Sequence, residues 1–81
     1  MIENHVAGQI WRKDRGPDWQ TFEILEVAEH DCLVRIETKI GDYAPIEIRT
    51  ERLFHYSLTN FLYGSEIIRG EREFVNQEPT T

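Results

Sequence analysis

The chain is predicted to fold as a mainly β domain of about five antiparallel strands with a short helical segment near residues 50–63. Three observations predict it. Thr21–Val27 and Cys32–Thr38 are runs of alternating apolar and polar residues rich in strand formers. Alternation with a period of two marks half-buried antiparallel strands. Between them lies Glu29-His30-Asp31, with the length and polarity of a hairpin turn. Beyond Thr50 the spacing changes, and Phe54, Leu58, Phe61 and Leu62 recur as on one face of a helix.

Each element follows in order. Val6–Arg12 reads as a first strand, with Val6, Gly8 and Ile10 on one face and Ala7, Gln9 and Trp11 on the other. Lys13–Asp18 reads as a polar loop punctuated by Gly16-Pro17. The second strand spans Trp19–Ala28 and contains a change of phase: Phe22 and Ile24 share one face, whereas Leu25 and Val27 share the other. Such a flip requires a β-bulge or a bend between two packing surfaces, and small closed barrels use long bent strands to turn their corners. A third strand spans Asp31–Lys39, Ile40–Pro45 forms a loop, and Ile46–Arg49 is a short fourth strand. Its Glu47 and Arg49 are expected to pair on the outer face with Arg35, Glu37 or Lys39. Thr50 is placed to cap a helix and Glu51 suits its first turn, while Gly64 is a natural stop. Glu66–Arg69 supplies a fifth strand. One domain therefore covers residues 1–75, and the polar residues 76–81 are expected to form a disordered tail.

The strand beginning Gly8-Gln9-Ile10-Trp11-Arg12 and the run Phe22–Val27 with its following hairpin resemble the opening strands of small SH3-like barrels of the bacterial KOW and Tudor-like kind. The likeness covers residues 6–54 and departs after Thr50, where this chain carries more helix than a single turn. The resemblance implies a binding module that recognises protein or nucleic acid and does not catalyse. Proline-rich ligand recognition is not carried over, because the aromatic set it needs has no counterpart here. Fold alone does not decide the ligand.

Composition narrows the classes. Hydrophobic residues at 40% are enough to fold and too many for a disordered chain. The net charge of −6 is spread evenly over both halves, which disfavours general nucleic-acid binding and is compatible with a basic protein partner or simply with solubility. The single cysteine, Cys32, shares a strand face with Val34 and Ile36 and reads as a small buried hydrophobe. It excludes an internal disulfide and any multi-cysteine zinc site, and with no apolar leader or ~18-residue apolar span it points to a cytoplasmic protein without membrane contact.

No catalytic motif is present, and Glu23, Glu26 and Glu29 are divided between faces by the inferred bulge. His5, His30 and His55 fall in three different elements at no ligand spacing, so neither a metal site nor a cofactor is expected. The binding candidates are Trp11, Arg12, Lys13, Arg15 and Trp19, a basic run between tryptophans able to stack on bases or hold carboxylates, together with Tyr43 in the later loop. The competing reading makes both tryptophans sheet-packing residues and pairs Asp14 and Asp18 with the basic side chains. Phe54 and Phe61 suit the core. Yet the apolar content of Thr50–Ile68 exceeds what closing one barrel end requires, so Tyr56, Phe61 and Tyr63 are assigned to a self-association face that makes a homodimer. The leading expectation is a non-enzymatic module that binds a protein. The alternatives are a small acidic phage or mobile-element inhibitor of a nucleic-acid-binding or defence enzyme, and weak nucleic-acid binding through Arg12–Arg15.

Overall fold

A computed structural model describes residues 2–75; the expected tail at 76–81 lies outside them. The elements are β1 (Ile2–Asn4), β2 (Ile10–Arg15), β3 (Asp18–Val27), β4 (Asp31–Lys39), β5 (Glu47–Phe54), α1 (His55–Leu62), β6 (Glu66–Arg69) and β7 (Glu73–Val75). Five form one antiparallel sheet in the order β5-β4-β3-β2-β6, and β1 pairs with β7 in a separate two-stranded ribbon. The chain is thus mainly β with one short helix. β5 and β6 end the sheet on opposite sides, and no pairing joins them among the described residues.

The central hairpin forms where the alternation places it. β3 and β4 pair from Trp19↔Lys39 to Val27↔Cys32, and Ala28 N–H donates to Asp31 C=O across the turn (2.8 Å). The register shifts between Ile24 and Glu26, so Leu25 is the extra residue of a bulge. The phase change in the sequence has this cause: beyond Leu25, Val27 rejoins the face of Cys32.

The first hairpin corrects the expected polar loop. β2 continues through Arg15 and β3 starts at Asp18, leaving only Gly16-Pro17 as connection. Gly16 has φ of +63° and proline holds the next residue negative, the signs of a type II′ turn that matches strand twist. Val6–Gly8 turns instead of opening the first strand; Gly8 N–H donates to Ile24 C=O (2.8 Å) and Ile24 N–H to Gln9 C=O (2.9 Å).

β5 is also longer than expected. It pairs with β4 out to Asp31↔Phe54, so Thr50 lies inside a strand and caps nothing. Eight residues of ladder bonding outweigh a first helical turn with few apolar contacts. The register sets Glu47 and Arg49 against Thr38 and Ile36, and Arg49 pairs with Glu51 (3.4 Å), which corrects the expected pairing of Glu47 and Arg49 with Arg35, Glu37 or Lys39. The helix starts at His55 and has no side-chain cap; after it, Tyr63-Gly64 turns into β6.

One side of the sheet carries the core. Trp11, Phe22, Ile24, Cys32, Val34 and Ile36 lie beneath Leu58 and Leu62 of α1, with Leu53 and Ile67 at the margin. Burying a side chain of this kind stabilises by about 1.5–3 kcal/mol. Gln9 is buried among them and bonded at both ends of its amide: Nε2 donates to Glu71 C=O (2.7 Å), and Oε1 accepts from Val6 N–H (3.2 Å) and Trp11 Nε1–H (3.4 Å).

Candidate functional site

Beyond Trp11 and Phe22 the core-side face turns polar. The register brings Lys13 opposite Gln20, Arg15 opposite Asp18, and Gln20 opposite Thr38. These side chains, with Trp19, Lys39, Ile40 and Phe61, line a cleft of about 400 Å³ at the Gly16-Pro17 end of the sheet. It exists because α1 ends at Leu62 and covers the sheet only as far as Phe61, whose ring tilts against Phe22 (6.2 Å).

The cleft walls are held by specific bonds. Lys13 Nζ donates to Phe61 C=O (2.9 Å), placing a cation at the negative end of the helix. Lys39 Nζ donates to Ala44 C=O (2.6 Å), and Asp18 Oδ1 accepts from Gly41 N–H (2.7 Å), so the 40–45 loop is tied to the sheet from both strands. Gln20 Nε2 donates to Thr38 Oγ1 (3.2 Å). Arg15 makes no hydrogen bond or ion pair among the described residues. Three cations face one carboxylate here, on a chain of net charge −6.

The sequence-predicted set is only partly assembled. Lys13, Arg15 and Trp19 meet in this cleft. Arg12 is close by but engaged: its guanidinium lies 4.7 Å from the Trp19 ring centre, and Nε donates to both Asp14 oxygens (3.0 and 3.1 Å). Trp11 is 2% exposed and belongs to the core, which corrects its place among the binding residues. A strand-face residue opposite Phe22 packs inward, whereas Trp19 lies in the other phase, opposite Asp14. Tyr43 is fully exposed in the 40–45 loop. Tyr56 (79%) and Tyr63 (85%) are strongly exposed and Phe61 (40%) partly so. Phe54, expected in the core, is 68% exposed on the face opposite Leu53.

On the other side of the sheet, charges are paired. Arg35 contacts Glu37 (3.0 Å) and Glu23 (4.0 Å), while Arg52 spans Glu26 and Asp31 (both 3.3 Å).

A second cluster was missed by sequence reading. His5, Cys32 and His55 meet where the β1–β2 segment, β4 and the start of α1 converge, with their donor atoms within 4.8 Å of one another. His55 Nδ1 lies 3.1 Å from His5 Nδ1 and 3.5 Å from Cys32 Sγ. His55 Nε2–H donates to Ala28 C=O (2.8 Å); His5 Nε2 faces Thr59 Oγ1 (3.4 Å), whose hydroxyl donates to His55 C=O (2.9 Å). Burial pushes the Cys32 thiol above its ordinary range, and the Asp31 carboxylate beside it acts in the same direction. No spacing in the sequence signals this group, because its members are 50 and 23 residues apart and only the topology joins them.

No family model, curated protein or solved structure matches the chain. Among the described residues, no helix is long and apolar enough to cross a membrane.

Proposed function

We propose that the chain is a non-enzymatic, SH3-like binding module that recognises an acidic segment of another protein at the cleft beside the Gly16-Pro17 hairpin. One observation carries this reading: Lys13, Arg15 and Lys39 line one cleft together with Trp19 and Phe61 on an otherwise acidic chain. A local cationic cleft with aromatic walls attracts carboxylates and supplies apolar contact, whereas the surrounding negative charge repels a polyanion long enough to extend past it. Nucleic acid is therefore the weaker candidate. The strand order supports the SH3-like reading, since a four-strand meander is followed by a helix and a last strand that returns to β2. An inhibitor that imitates nucleic acid would display unpaired carboxylates. Glu23, Glu26, Asp31 and Glu37 are instead drawn into ion pairs by Arg35 and Arg52, which offset half of their charge and weaken that alternative.

The test is quantitative affinity capture from the native host with wild type, the double variant Lys13→Glu/Arg15→Glu, and Arg49→Glu/Arg69→Glu as a charge-matched control at exposed positions away from the cleft. Proteins bound by wild type and the control but lost by the double variant are expected, with affinity falling as salt rises. Identical capture by all three, or preferential capture of nucleic acid, overturns the reading.

A further inference from the structure

We infer that His5, Cys32 and His55 form a site for a single divalent transition metal of the zinc type, clamping the N-terminal segment and the start of α1 onto β4. The geometry at His55 carries the inference. Its Nε2 faces a carbonyl oxygen, which only accepts, so Nε2 holds a hydrogen and Nδ1 is the nitrogen left to offer a lone pair. That lone pair points at His5 Nδ1 (3.1 Å) and stands beside Cys32 Sγ (3.5 Å). The two ring centres are 5.4 Å apart with an interplanar angle of 11°. This separation equals the Nδ1–Nδ1 distance plus the two ring radii, so the rings lie edge to edge in nearly one plane, nitrogen toward nitrogen. Either a hydrogen on His5 Nδ1 or a metal ion must join the two nitrogens.

Three features favour the metal. The first is spacing: bonds of about 2.0–2.1 Å to nitrogen and 2.3 Å to sulfur, at tetrahedral angles, place N···N near 3.4 Å and N···S near 3.6 Å. Both His55 distances are close to these values. The remaining separation, within 4.8 Å, closes by a turn of the His5 ring off the head-on line toward Cys32. The second is the support behind each ring. His55 Nε2–H is fixed by Ala28 C=O and His5 Nε2 by Thr59 Oγ1, the outer hydrogen bonds that orient ligating imidazoles. The third is access. His5 also lines a cleft of about 250 Å³ with Thr59 and Tyr63, so one ligand ring borders open space. On binding, the ion displaces the Cys32 thiol proton, which leaves to solvent. A proton held between the imidazoles moves to His5 Nε2, where Thr59 Oγ1 accepts a hydrogen bond from it. One proton is released per metal bound.

This inference stands apart from the hairpin cleft, and its test uses the full chain stripped with chelator. Titration with Co²⁺ is expected to reach a 1:1 end point with the intense visible bands of tetrahedral cobalt and a near-ultraviolet thiolate-to-cobalt charge-transfer band, all displaced by Zn²⁺. Cys32→Ser should abolish the charge-transfer band. His5→Gln, which removes a ligand from outside the sheet, should weaken binding at least as much as the roughly 10–100-fold loss typical when only a supporting partner is removed. Thr59→Val keeps all three ligands and should fall within that range, and the exposed His30→Gln should bind as wild type does. Circular dichroism at each titration start establishes that the variants are folded. Weak, octahedral-type cobalt spectra without charge transfer in folded wild type would overturn the site and leave a proton shared between the histidines. Equal loss in His30→Gln and His5→Gln would overturn it as well.

Discussion

Trp11 and Trp19 flank the same basic run in the sequence, yet truncating them should have opposite consequences. Trp11 is 2% exposed, opposite Phe22 on the core face, and its Nε1–H reaches Gln9. Removing such a ring leaves a cavity that Leu58 and Leu62 cannot collapse into without lifting α1, so Trp11→Ala should cost about 3–5 kcal/mol. Native domains of this size hold roughly 0.05–0.15 kcal/mol per residue, a total of about 4–12 kcal/mol, so the loss is a large part of the whole. Trp19 is half-buried at the cleft rim, and its best-defined contact is Arg12 at 4.7 Å. An exposed cation–π contact is worth about 0.5–1 kcal/mol, and partial loss of ring burial brings Trp19→Ala to about 1–2 kcal/mol. Urea unfolding followed by far-ultraviolet circular dichroism measures both, with the two-state slope checked for constancy. Trp19→Ala should also lose partner binding while folded. A cost below about 1 kcal/mol for Trp11→Ala, or equal costs for the two, would refute the division into core and rim.

Gly70 has φ of +82°, and a Cβ there would stand 3.3 Å from Gln9 Cα, so Gly70→Ala should destabilise by more than about 1 kcal/mol in the same assay. A neutral result would show that the β6–β7 connection relaxes freely. Tyr56 and Tyr63, seven residues apart on and just beyond α1, are strongly exposed, so light scattering at micromolar concentration is expected to report a dimer that Tyr63→Asp shifts toward monomer. A monodisperse wild-type monomer would remove that face from the account.

The central hairpin was legible in full, because Phe22, Ile24, Val34 and Ile36 alternate without interruption and the Leu25 bulge announces itself as a change of phase. The strand Glu66–Arg69 was legible too, from its β-branched Ile67-Ile68 pair following the Gly64 stop. Polar strands were not. Lys13-Asp14-Arg15 has no apolar alternation because its inward face leaves the core and lines a cleft; its charge reads as loop although its backbone is strand. The second half of β5 hid in the same way, since Glu51 points toward the core side but past the reach of α1. The β1–β7 ribbon joins the two ends of the described chain, a pairing no local pattern can signal. For the cleft, the sequence showed Lys13, Arg15 and Trp19, while Lys39 and Phe61 arrived through strand register and helix length. The His5–Cys32–His55 group was invisible because each member looks ordinary in its own element.

The hairpin cleft is the proposed binding surface. The most direct measurement is amide chemical-shift mapping of the isotopically labelled chain with the partner recovered by capture. The largest changes are expected at Lys13, Arg15, Asp18–Gln20, Thr38–Ile40 and Phe61, the residues that line the cleft, and they should vanish in Lys13→Glu/Arg15→Glu. Changes centred on Arg35 and Arg52, or on Tyr56 and Tyr63, with the cleft amides unmoved, would contradict it.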